Sequence, residues 1–173
     1  MAHPRVDQLR FARSEFVRGL RGLTEADAQQ RLLPMNSISW MVGHLAWHER
    51  LLFAERGQGL KVEPALDAVA FGQPASTPSL KDMWAAWRRT TALADPYLDR
   101  LTTADLLAPW PHDGRGANAP IVGSQLQRIT YHYWHHIGEA SAVRQMLGHK
   151  RLASFVGAIE RDAPYRPEGE EPA

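Results

Sequence analysis

Apolar residues recur along this chain at the three- and four-residue spacing of amphipathic helices, and four long stretches sustain it. Val6, Leu9, Phe16, Val17 and Leu20 set out a first helix from Pro4 to Leu20, with Gly22 closing the pattern. Ser37 is the expected N-cap of a second helix that runs to Gly57. Ser79 or Leu80 opens a third, placing Leu80, Met83, Trp84, Trp87, Thr91, Ala94, Leu98 and Leu101 on one side, and Pro96 is expected to bend or interrupt it. A fourth starts around Pro120, a residue suited to a first turn, and continues to about Leu147, where Gly148 is a natural stop. Residues 57–79, with Gly, Pro, Ser and Thr, read as a long crossover loop between helices two and three. The apolar run 152–163 is expected to form a last helix, and the Pro-, Gly- and Glu-containing tail 164–173 to be flexible. The fold class is therefore all-α, a four-helix bundle with a short C-terminal extension, in a single domain over residues 1–163.

The two connectors echo each other, with Leu-Thr-x-Ala-Asp at Leu23 to Asp27 and again at Leu101 to Asp105. A match only five positions long carries little weight, and chance similarity of two helix-turn segments explains it as well as a duplication does.

Composition narrows the function classes. At 173 residues and 44% hydrophobic content the chain can bury one good core. Twenty Lys and Arg against 19 Asp and Glu leave a net charge of +1, which offers no electrostatic case for nucleic acid. Apolar stretches are broken by charge or His well short of the roughly 20 residues of a membrane span, and residues 1–16 lack a signal peptide's apolar middle. A cytoplasmic protein without a membrane partner is expected. With no cysteine, any ligand set must come from His and carboxylates.

Histidine supplies the candidate chemistry. His132 and His136 lie four residues apart in the fourth helical pattern, on one face and one turn apart. On a wheel of about 100° per residue they share a stripe with Ile121, Gln125, Ile129, Glu139, Ala140, Val143 and Leu147. His44 falls similarly on helix two, among Ser37, Trp40, Met41, Trp47, His48, Leu51, Leu52 and Glu55. Three inward imidazoles without partners would each cost roughly 1–3 kcal/mol, and a shared divalent metal ion, Zn or Ni by the nature of the donors, removes much of that cost. One inward His alone would more simply be a core residue bonded to backbone. His48, one turn after His44, is the rival third ligand, and His135 sits at the rim of its stripe, where solvent is at least as good a reading as acid/base work. A zinc-protease H-E-x-x-H is not met, because Tyr133 stands where the glutamate base would be.

Trp40, Gly43, His44, Leu45, Ala46 and Glu49 form W-x-x-G-H-L-A-x-x-E, and His132, His136, Gly138 and Glu139 form H-x-x-x-H-x-G-E. Together with the four helices these resemble the DinB-like superfamily, over roughly Pro4 to Gly148. The resemblance implies an up-down-down-up bundle and selects His44 over His48, so that His44, His132 and His136 bind a divalent metal with one coordination position open. It also implies either metal-dependent hydrolysis or transfer with a low-molecular-weight thiol such as mycothiol or bacillithiol, on a small-molecule substrate, and homodimerisation as a common habit. His48, Glu49, His135 and Glu139 are the candidates to brace a ligand or move a proton. Trp40, Trp47, Trp84 and Trp87 are read mostly as core. His112, Asp113 and Arg115, in a polar Gly-rich loop before helix four, are candidates to reach substrate anions or carbonyls, although surface turns commonly have this composition. The rival class is a non-catalytic bundle, a binding or dimeric scaffold whose metal is structural or absent; a structural site would be closed by a fourth protein ligand.

Overall fold

In the computed structural model, which describes residues 2–154 and 156–167, the chain is all-helical, with no strand among the described residues. Four long elements carry the core. Helix α1 spans Pro4–Gly19 and ends one residue before the expected Leu20, which becomes its C-cap. After a short α2, Glu25–Gln29, helix α3 spans Ile38–Glu49 with Ser37 capping it through a bond from the Trp40 N–H at 3.2 Å. α4 spans Leu80–Leu98, and α6, which follows the short α5 at Thr103–Leu107, spans Val122–Met146. α1 packs on α6, and α3 packs on both α4 and α6. The core they enclose includes Val6, Leu9, Phe16, Met41, Leu45, Leu98, Leu126 and Tyr133. No helix among the described residues is long and apolar enough to cross a membrane.

Several expectations are corrected. The second helix reaches Gly57, but from Arg50 to Arg56 it widens into a π-helical stretch. With i→i+5 bonding each turn takes an extra residue, so residues past Glu49 leave the α-helical phase, and Phe53 and Ala54 are buried while Glu55 is not. The crossover is no open loop: Pro64–Val69 forms a 3-10 helix on α3 with Leu66 and Val69 buried. Arg50 holds it by donating to the Glu63 carbonyl at 2.9 Å and to Asp67 at 2.5 Å, and Arg89 of α4 clasps Glu63. Pro96 does not interrupt α4 where it stands, since the helix runs two residues further, to Leu98. α6 starts at Val122 instead of Pro120 because the Val122 N–H bonds the Ala108 carbonyl and the Pro120 carbonyl accepts from Trp110, which ties this entry to the preceding connector. The last helix shrinks to α7, Ile159–Asp162. The tail expected to be flexible lies outside the described residues from 168 onward, as does Phe155.

The echoed Leu-Thr-x-Ala-Asp has a local cause. Thr24 and Thr102 each cap a short helix, α2 and α5, by accepting the N–H of Asp27 and Asp105. Two similar N-caps call for the same residues without any duplication.

Candidate metal centre

α3 presents His44 and α6 presents His132 and His136, and one ring nitrogen of each lies within 4.8 Å of the others. His44 and His136 are buried and His132 is half-buried. The expected stripe on α6 is turned: its buried residues, Val122, Leu126, Ile129, Tyr133, His136, Ala140 and Val143, centre near Tyr133. His132 therefore sits at the edge of the packed face, and Ile121, expected inward, is exposed.

The second nitrogens settle what the rings can offer. His44 Nδ1 is 2.8 Å from the Val69 carbonyl, and His136 Nδ1 is 2.6 Å from Glu139 Oε2. A carbonyl and a carboxylate only accept, so both histidines carry their proton on Nδ1 and turn an Nε2 lone pair to the centre. His132 Nδ1 faces His48 Nδ1 at 2.8 Å, while His132 Nε2 is 2.9 Å from His136 Nε2. Burial, reinforced by the neighbouring rings, pushes His132 down to about 2; burial likewise takes His44 to about 4 and His48 to about 3. Neutral imidazoles with Nδ1 braced and Nε2 converging are a donor set fit for a transition metal.

Two tryptophans close over His44. Trp40 stacks on it at 4.3 Å and 13°, and Trp47 lies on it at 5.2 Å and 21°. They stand four residues before and three after His44, so one helix face supplies the whole stack. Trp40 is a core residue as expected and Trp47 packs against the core; their stacking on His44 is an added role, for which the i−4 and i+3 spacing around a histidine was the available signal. Trp84 and Trp87 do belong to the core side, with Trp84 against Phe16. Gly43 makes the approach of α4 and the 3-10 helix possible: a Cβ there would collide with Met83 Sδ of α4 and lie 3.1 Å from Val69 Cγ2.

The other candidates separate. Glu139 belongs to the centre, and it also lies 3.4 Å from the exposed His135; His135, His136 and Glu139 make a second, more open cluster able to hold an ion. Hydrogen bonding from His136, ahead of the opposing effect of burial, holds the Glu139 carboxyl below its usual range. Glu49 is turned the other way. It is fully buried, accepts from Arg13 Nε at 2.7 Å and from Tyr133 Oη at 2.6 Å, and forms a second ion-pair contact with Arg13 Nη2. Trp87 Nε1 donates to Tyr133 Oη at 2.7 Å and Arg13 Nη1 to the partly exposed Asp95 at 2.8 Å, so the polar network runs from the core to the surface.

A cleft of about 660 Å³ opens in front of the histidines, reaching His44, His48, His132 and His135. The loop before α6 supplies Arg115 to its wall, with Asp113 behind it; His112 packs against Gly59. The family model described as the DinB superfamily matches residues 8–140, well over half of the chain. No curated protein matches it.

Proposed function

The chain belongs to the DinB superfamily, and on that premise we propose that His44, His132 and His136 hold a divalent metal ion, zinc or nickel, in a centre that serves catalysis. The observation that carries this is the bracing of all three rings: Val69, Glu139 and His48 each engage an Nδ1 and leave the Nε2 side to converge. When bound, an ion on three neutral nitrogens supplies Lewis acidity, which makes a water or a thiol nucleophilic near neutral pH.

The chain's own residues do the rest. Depressed basicity keeps His44 and His132 free of competing protons at neutral pH. Trp40 and Trp47 shield His44 from solvent and fix its plane. His48 is engaged with His132 through Nδ1, which favours its role as a brace over that of a fourth ligand. His135, exposed beside Glu139 at the cleft, is the residue placed to carry a proton between substrate and solvent. The activity is either hydrolysis of a small molecule or transfer involving a low-molecular-weight thiol. The same reading takes residues 1–163 as one domain in up-down-down-up order, supported by the packing of α1 on α6 and of α3 on α4 and α6.

Elemental analysis of protein purified without an affinity tag tests the centre. Near-stoichiometric zinc or nickel is expected in the wild type and is lost in His44→Ala and His132→Ala. His48→Ala retains metal with affinity lowered about 10- to 100-fold, as for an outer partner. Equal metal in wild type and both ligand variants, or none after reconstitution, refutes the triad.

A further inference from the structure

The cleft carries a charge pattern that three neutral nitrogens do not require. Arg56, Arg115 and Arg128 line it together with Trp47, Phe71 and Tyr131, and no carboxylate does. The three arginines come from separate places: the end of the π-helical stretch, the loop before α6, and α6 itself. Asp113, its side chain only 1% exposed, lies behind two of them, 2.9 Å from Arg56 Nε and 3.0 Å from Arg115 Nη2. One carboxylate thus fixes two guanidiniums and leaves that group one positive charge in excess. Arg128 is exposed, has no acidic partner among the described residues, and adds a second. Phe71 and Tyr131 are 84% and 64% exposed, so apolar rings stand open to solvent at the mouth of a cationic cleft.

We propose that this cleft selects a substrate in which a carboxylate or phosphate is joined to an apolar or aromatic body. The oxyanion is held by Arg128 with help from Arg56 and Arg115, whose planar donor forks match two oxygens at once. The body lies against Trp47, Phe71 and Tyr131, which directs the other end of the molecule to the histidines. Asp113 acts as a positioning residue, holding two flexible arginines in register before ligand arrives, so less freedom is lost on binding. Identifying the histidines as the reacting end rests on the metal-centre reading; the anion preference rests on the arginines alone.

The test titrates phenyl phosphate, phenylacetate and the neutral phenylacetamide into metal-stripped and zinc-loaded protein at low ionic strength, followed by calorimetry and tryptophan fluorescence. In the metal-stripped protein at least one anion is expected to bind about tenfold or more tighter than the amide, and the ranking of phosphate against carboxylate identifies the group. Arg128→Gln weakens that anion about tenfold and leaves the amide unchanged, while Arg88→Gln, an exposed site on α4 outside the cleft, changes neither. Equal binding of anions and amide, or an Arg128→Gln protein indistinguishable from wild type, overturns the proposal. If zinc fails to bind but the anion preference persists, the metal reading falls and this one stands; zinc binding without anion preference gives the reverse.

Discussion

Glu49 and Glu139 show how surroundings, more than residue type, assign work to a side chain. Both follow a histidine on a helix and both belong to recognisable motifs. Glu139 is half-exposed and bonded to His136, whereas Glu49 is fully buried against the Arg13 guanidinium, whose own acidity is weakened further by that pairing. Removing one partner of a buried pair strands the other charge, so Glu49→Ala is expected to lower stability by about 3–5 kcal/mol. Replacing both, as Arg13→Met with Glu49→Leu, should recover most of that loss in urea denaturation. A double variant as unstable as Glu49→Ala would mean that Glu49 acts through something besides this pair. Sequence could place Glu49 on a helix, but its partner lies 36 positions earlier, on α1, and only packing brings them together.

At the level of elements, α3 and the 3-10 helix make the site by approaching closely. Gly43 is the contact point, because any side chain there meets Met83 and Val69. Gly43→Leu is expected to destabilise by roughly 1–3 kcal/mol through overpacking and to weaken metal binding, since displacing Val69 withdraws the carbonyl that braces His44. Met83→Ala in the same chain opens room and should restore part of the stability; a Gly43→Leu protein with wild-type melting and metal affinity would refute the close approach. The helices themselves were legible because apolar spacing and caps are local: α1, α3 and α4 begin where Pro4, Ser37 and Ser79 indicate. The π-helical stretch and the buried 3-10 helix were not; the 3-10 helix answers to tertiary partners, Arg50 and Arg89.

For the whole molecule, a ligand that binds only the folded state stabilises it by mass action. Zinc at about 100 times its dissociation constant should add about 2.7 kcal/mol, or roughly 5–10 °C in melting temperature for a chain of this size. Differential scanning calorimetry with and without chelator reads this directly, and an unchanged transition in wild type alongside His132→Ala would count against the centre. The sequence by itself determined the helical period, the helix starts at Pro4, Ser37 and Ser79, the exclusion of cysteine chemistry and the pairing of His132 with His136 one turn apart on a helix, since these depend on spacing and residue type within one segment. Tertiary structure alone decided that Val69 braces the His44 ring and His48 the His132 ring, that Glu49 pairs with Arg13, and that three arginines from distant segments share one cleft. The physical reason is range: a helix is written in neighbours three and four residues apart, while a hydrogen bond between segments tens of residues apart exists only after the core has chosen which faces meet.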